Sequence, residues 1–315
     1  MTEHINTSVT QRGYEIFMYA HNETFVYDMR QRPVGSGAMG TVYRGRSLRD
    51  NRSVAIKMVN PAYAAIPSVR RRARQEANLA FRHQHLIEML GCCETADPRG
   101  PMFIVSNFIN GIPLDKHVKE NLANFPDRVE RVCRTVIPVL DALEYLHEGN
   151  IFHLDIKPSN IMVENGRNVR LMDLGIANAR GEAEITSAGL LGTPGYAAPE
   201  QYVTPGEAIK IDARTDIYEL GVTLYELLAG TKPDPQKTED IKGVSPAIMH
   251  VIRKAIAKQP DNRFSSAKQM RQALEDALTR PIKSATPLWP IIMGIVAVVL
   301  ILAVVVAIII AVGLS

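Results

Sequence analysis

The sequence predicts an α+β protein with a detached apolar segment near its end, and three observations carry that reading. Strand-like runs gather early in the chain, at 41–45, 54–57 and 102–111. Helical spacing follows: within 126–149, Val129, Val132, Val136, Leu140, Leu143 and Leu146 recur at steps of three and four. Residues 291–312 then form a run without a single charge. Strands collected ahead of helices are the pattern of an α+β fold.

Composition sets the outer bounds. The chain has 315 residues, 46% apolar and 22% charged, enough for a packed core. A net charge of +3 is too small to predict a nucleic-acid surface. Cys92, Cys93 and Cys133 fit neither a disulfide framework nor a metal spacing and read as buried free thiols in a reducing compartment. No charged-then-apolar signal opens the chain, so its bulk is expected in the cytoplasm. Residues 1–26 are mixed and show no clear period. They read as an N-terminal extension, either a disordered tail or a loose addition to the first sheet.

The first motif is Gly35-Ser36-Gly37-Ala38-Met39-Gly40-Thr41-Val42. Glycines at this spacing let backbone approach phosphates closely. Dinucleotide-binding folds share the pattern, but there it opens a helix. Here strand-like residues follow, which favours a glycine-rich hairpin. Val54-Ala55-Ile56-Lys57 is a β-branched run, and Lys57 taken alone is a solvated strand-edge residue. Residues 68–82 read as a helix with Ser68 as its cap, and Arg70, Arg71, Arg72 and Arg74 as a solvated basic face. In the helix over 126–149, Pro138 predicts a kink and Gly149 the end.

The densest chemistry lies in His153-Leu154-Asp155-Ile156-Lys157-Pro158-Ser159-Asn160. Asp155 can accept a proton from a hydroxyl. Lys157 can neutralise a transferring phosphoryl group. Asn160 can place a neutral oxygen on Mg²⁺. A hairpin over 161–172 turns at Asn165-Gly166 and delivers Asp173-Leu174-Gly175. A lone Asp before Gly is usually a turn residue; placed eighteen positions after Asp155, Asp173 reads as a second metal ligand. Residues 176–197 are rich in small residues and close on Ala198-Pro199-Glu200. Past a linker at 281–287, the apolar run spans roughly 30 Å as a helix, the thickness of a hydrocarbon core. Trp289 sits where an interfacial aromatic belongs, and Arg280 and Lys283 mark the preceding side as cytoplasmic. The expectation is a single-pass anchor at 288–313 in the cell membrane, its C-terminus outside. Ala303, Ala307 and Ala311 lie four apart and would let two spans pair as a homodimer, although alanine as neutral filler explains them as well.

Taken together and in order, these motifs resemble the eukaryotic-type serine/threonine protein kinases of bacteria. The match covers the glycine loop, Lys57, Glu76, Asp155, Asn160, Asp173, Glu200, Asp216 and Arg263. The resemblance implies a bilobal kinase domain over 27–280, with a small five-stranded N-lobe to about 110, a helical C-lobe after it, and ATP between them. It implies that Gly35, Ser36, Gly37, Ala38, Met39, Gly40, Val42 and Ala55 enclose the nucleotide. Lys57, held by Glu76, would orient its phosphates, and Asn107, Phe108 and Ile109 would form the hinge with Ser106 guarding the back pocket. Asp155, Lys157 and Asn160 would be catalytic, Asn160 and Asp173 would hold Mg²⁺, Asp216 would brace the catalytic loop, and Arg263 would pair with Glu200. Lys157 and Thr193 match the serine/threonine branch, so the implied substrates are protein hydroxyls. Leu154 departs from the family, which usually has Arg there to pair with a phosphorylated activation segment. Thr186 and Ser187 are the candidate phosphorylation sites, and Arg180 is the segment's own arginine. The rivals are a membrane-tethered pseudokinase scaffold, disfavoured because no catalytic position is lost, and a small-molecule phosphotransferase, disfavoured by the complete Ala198-Pro199-Glu200 segment and by Thr193.

Overall fold

The computed structural model describes residues 8–37, 39–78, 81–95, 97, 99–173, 178–179, 192–202, 211–234, 237–279 and 293. The chain divides into two units, Met1–Ala277 and Leu278–Ser315, and nearly all described residues belong to the first. Its early part is one curled sheet. The strands are β1 (Ser8–Arg12), β2 (Glu15–Ala20), β3 (Glu23–Asp28), β4 (Gly35–Gly37), β5 (Gly40–Ser47), β6 (Ser53–Val59), β7 (Met89–Glu94) and β8 (Met102–Asn107). They run in the order β1-β2-β3-β5-β6-β8-β7, with β4 paired to β5.

This eight-stranded sheet is larger than the five strands expected. From Ser8 onward, moreover, the supposed extension is part of it. The cause is an alternation of period two. Ile16, Met18 and Ala20 turn inward with Phe25 and Tyr27, and join Val54, Ile56, Cys93, Phe103 and Val105 in one core. His21 and Asn22 make the turn with φ of 47° and 62°, the left-handed pair that a tight hairpin requires. The curl brings β7 back to β2, where the Cys93 thiol meets the Tyr19 carbonyl at 3.7 Å. Burial pushes that thiol up to about 12, and all three cysteines are buried.

The opposite face of β6 carries Ala55 and Lys57. Val42 pairs with Lys57 from β5, and Ile104 pairs with it from β8. Against this face pack α1 (Pro61–Ala64) and α2 (Pro67–Asn78), through Ala64, Ala73 and Ala77. The second helix begins at Pro67, whose fixed φ suits a first turn, so Ser68 lies inside it and residues 81–83 are no longer helical. Its basic face is not uniformly solvated, as expected from the sequence. Arg70 is only 5% exposed. It donates to the Ala64 carbonyl at 2.6 Å, to Glu94 at 2.9 Å and to the Gly100 carbonyl, while Arg74 reaches Glu94 at 2.7 Å. A buried guanidinium needs partners for its N–H groups. Glu94 on β7 supplies them and fastens the helix to the sheet.

The second lobe opens with β9 (Gly111–Pro113) and α3 (Leu114–His117), extended by a π-helical turn over Val118–Leu122. Next come α4 (Arg128–Glu148), β10 (Ile151–Phe152), β11 (Ile161–Glu164), β12 (Asn168–Leu171) and β13 (Asn178–Ala179). Helices α5 (Ala213–Ala229), α6 (Pro246–Ala255) and α7 (Ala267–Thr279) complete it. The α4 helix runs unbroken through Pro138, where burial of Val136, Val139 and Leu140 offsets the missing backbone bond. Arg128 at its start donates to the Leu227 and Leu228 carbonyls, which ties α4 to the C-terminal end of α5. No helix among the described residues is long and apolar enough to cross a membrane. Apart from Met293, the segment 288–313 lies outside the described residues.

Candidate active site

The site is built on the loop between β10 and β11, and α5 holds that loop from below. Asp216 is fully buried at the start of α5. It accepts the backbone N–H groups of His153 at 2.9 Å and Leu154 at 2.8 Å, and His147 Nε2 on α4 at 2.8 Å. The bracing role expected of it is thus observed. Leu154 takes φ of 60°, a left-handed conformation that a branched side chain rarely adopts, and packs with Phe152, Ile211 and Ala213. His153 is also fully buried. Its Nδ1 receives the Asp155 N–H at 3.3 Å, and its Nε2 meets the Met172 carbonyl at 2.9 Å, which joins the loop to the strand end that carries Asp173.

Three groups converge on the Asp155 carboxylate. Thr193 Oγ1 donates to Oδ1 at 2.5 Å, Lys157 Nζ to Oδ2 at 2.8 Å, and Asn160 Nδ2 to Oδ2 at 3.0 Å. Lys157 also donates to Thr193 Oγ1 at 2.6 Å, so a cation and a hydroxyl lie together beside one carboxylate. The three residues Asp155, Lys157 and Asn160 are brought together, and Thr193, read from the sequence as a class marker, is a direct partner of Asp155.

Asn160 Nδ2 is committed twice, to the carbonyl and the carboxylate of Asp155. That leaves Oδ1 as its free type of donor atom for a cation. The Met172 N–H bonds the Asn160 carbonyl at 2.8 Å, and Asp173 follows with φ of 43° and a half-exposed carboxylate. One carboxylate and one neutral amide oxygen fit Mg²⁺, which keeps its other positions for phosphate oxygens and water. Among the described residues no group of three or more His, Cys, Asp or Glu could hold a metal unaided.

Lys57 Nζ lies 3.1 Å from Asp173 Oδ1, linking the sheet to the second lobe. Glu76 lies on α2, with its side chain outside the described residues, as is Ala38. In the glycine loop Gly35 pairs with Val42, Ser36 with Thr41 and Gly37 with Gly40. Next to Gly40, the Met39 carbonyl accepts the Asn60 N–H at 2.9 Å. Gly40 has φ of 154°, and a Cβ there would strike the Met58 carbonyl, so the return strand requires glycine.

At the end of β8, Asn107 turns its side chain to Glu88 at 2.5 Å, and its N–H bonds the Glu88 carbonyl at 3.0 Å. The Phe108 N–H goes to Ser53 at 3.4 Å. Asn107 can therefore meet a nucleotide through its carbonyl, whereas Ile109 keeps an N–H with no backbone partner among the described residues. On the far side of the lobe, Arg263 makes a two-pronged pair with Glu200 at 2.6 and 2.8 Å, and Thr215 adds a bond at 2.8 Å. Arg180, Thr186 and Ser187 lie outside the described residues.

Sequence reasoning missed Glu219, which is fully buried and accepts the Ile156 N–H at 2.8 Å. The available signal was an acid one turn after Asp216, inside an otherwise apolar helix.

A family model for the protein kinase domain matches residues 29–284. Among curated relatives, the serine/threonine-protein kinase PknB of Mycolicibacterium smegmatis is 34% identical over 264 residues, covering 76% of this chain and 41% of the relative. Pkn1 of Myxococcus xanthus is 32% identical over 277 residues, covering 80% of this chain and 38% of the relative. The chain thus spans about two-fifths of the length of these relatives. Among solved structures, the kinase domain of Mycobacterium tuberculosis PknI superposes with a TM-score of 0.62 at 26% identity, covering 78% of this chain and 94% of that one. Strands β1, β2 and β3 precede the matched region. With the family's residues drawn to one carboxylate, and the match extending over most of its length, the chain belongs to the protein kinase domain family.

Proposed function

We propose that the chain transfers the γ-phosphoryl group of ATP to Ser and Thr hydroxyls of proteins, itself included, while a C-terminal span at 288–313 holds it to the cell membrane. The observation that carries the reading is the Asp155 carboxylate, with Lys157, Thr193 and Asn160 fixed around it.

In this reading Asp155 accepts the proton of the substrate hydroxyl as its oxygen bonds to the γ-phosphorus and the bond to the β-phosphate breaks. Lys157 lies where it can meet negative charge on the transferring group. Lys57 orients the nucleotide's phosphates beside Asp173, and Gly35, Gly37 and Gly40 let the loop backbone cover them. Ser36, Ala38, Met39, Val42 and Ala55 line the nucleotide's place, with the Asn107 carbonyl and the Ile109 N–H at its edge. Asn160 and Asp173 would hold Mg²⁺, which would supply positive charge to offset that of the phosphates. The protein's work is therefore positioning and charge complementarity. The names of the PknB relatives support the choice of Ser and Thr as acceptors.

The experiment is incubation of the full-length chain with radiolabelled ATP, Mg²⁺ and a generic protein substrate, followed by identification of the labelled residues. Label on Ser and Thr that disappears with Lys57→Met supports the reading. Equal labelling by Lys57→Met, or label confined to small molecules, contradicts it.

A further inference from the structure

The α5 helix buries two carboxyl groups one turn apart, and they are treated differently. Asp216 receives three donors, as described above. Glu219 receives one: Oε2 accepts the Ile156 N–H, while Oε1 is buried with no hydrogen-bond partner among the described residues. The Gln201 amide lies beside it and donates to the Leu154 carbonyl at 3.2 Å. Gly192, with φ of 92°, rests on the same spot, and a Cβ there would come 3.3 Å from Glu219 Oε1 and 3.0 Å from Gln201 Nε2. One turn further along α5, Thr223 donates to the Ile156 carbonyl at 3.2 Å. Both polar groups of Ile156, the residue after the base, therefore rest on α5.

A fully buried carboxylate with few donors, no cation bonded to it and a second carboxylate nearby is costly to ionise. Burial first, then the Asp216 charge, push the Glu219 acid well above the ordinary carboxyl range, with a smaller push from Asp155. The Ile156 N–H and the nearby Gln201 amide pull the other way. The charged and titratable groups around it are Asp216, with His147 of α4 against it, and Asp155, with Lys157 against it. No cation among the described residues bonds Glu219 itself.

We propose that Glu219 is a positioning residue that acts as an un-ionised carboxylic acid, holding the Asp155–Ile156 peptide from below and seating the Gly192–Thr193 turn whose hydroxyl reaches Asp155. The proposal rests on the reading of Asp155 as the base of phosphoryl transfer. The linkage has a definite sign. A carboxyl raised in the folded state gives stability that is complete below its unfolded value and is lost as pH rises through the folded one. Ionisation then sets a second charge beside Asp216 and loosens the loop, so the effect falls on the alkaline side. Glutamine, which has the shape of the neutral acid and cannot ionise, should remove this dependence.

The test compares the full-length wild type, Glu219→Gln and Glu219→Ala in two measurements. The first is turnover against pH, with KM for ATP. The alkaline limb should move up by about one pH unit or more in Glu219→Gln. Glu219→Ala should lose at least about tenfold in kcat with little change in KM. The second is the urea midpoint against pH, where the advantage of Glu219→Gln over wild type should grow from about pH 5 to about pH 8. Coincident alkaline limbs with a pH-independent difference in midpoint would overturn the proposal. So would a wild-type kcat in a folded Glu219→Ala. The midpoint series reads the Glu219 proton without any activity, so an inactive wild type that still shows the growing difference refutes phosphoryl transfer rather than the buried acid. If the alanine variant fails to fold, the glutamine comparison decides.

Discussion

Leu154 is a residue where this chain departs from its family's usual pattern, and its surroundings say what the change does. An arginine there would offer donors to a phosphorylated activation segment; leucine has none. The side chain is instead buried among Phe152, Ile211 and Ala213, with only its backbone engaged, by Asp216 and Gln201. The loop backbone is held by Asp216 and Glu219 of α5 and by Gln201. The double change Thr186→Ala, Ser187→Ala should lower turnover on a separate protein substrate by less than about tenfold, or about 1.4 kcal/mol of barrier. A loss of several orders of magnitude, in that variant or after phosphatase treatment, would mean that another cation takes the missing arginine's place. At this scale the site was largely legible. Asp155, Lys157 and Asn160 stand within six residues of one another, so their chemistry could be read without knowing the fold. Glu219 was not, because its role depends on burial under a loop more than sixty residues away in sequence.

The elements show where local reading fails. Four arginines within five positions look like a solvated face, yet Arg70 is buried because Glu94, twenty-four residues on, waits on β7. The N-terminal hairpin was overlooked for a related reason. Glu15–Ala20 alternates as a strand should, but its turn is His21-Asn22, without the glycine that usually announces a hairpin. The outer face of the kinase sheet needs cover, and the hairpin provides it. Met18 is fully buried in that core, so Met18→Ala should lower the unfolding free energy by roughly 2–5 kcal/mol in urea titration. A change below about 0.5 kcal/mol, the size typical of surface substitutions, would mean that the hairpin is the loose addition the sequence first suggested.

At the scale of the whole molecule, two kinds of signal coexist. Ordered motifs specified the two lobes, since each motif constrains the next. The apolar run at 291–312 is a compositional signal of a different kind. With the proposed anchor, the full-length chain should fractionate with membranes and resist carbonate extraction, and truncation after Lys283 should release it. A truncated chain that stays membrane-bound would place the attachment elsewhere.

All of these features matter through one carboxylate, so the most direct measurement is single-turnover transfer of label from ATP to protein by the full-length chain and by Asp155→Asn. Asparagine keeps the shape of the side chain but cannot take the proton. The account predicts a fall of about a hundredfold or more in the transfer rate, with nucleotide binding nearly unchanged. Transfer by Asp155→Asn at the wild-type rate would show that Asp155 is not the base, and the reading of this site would be wrong.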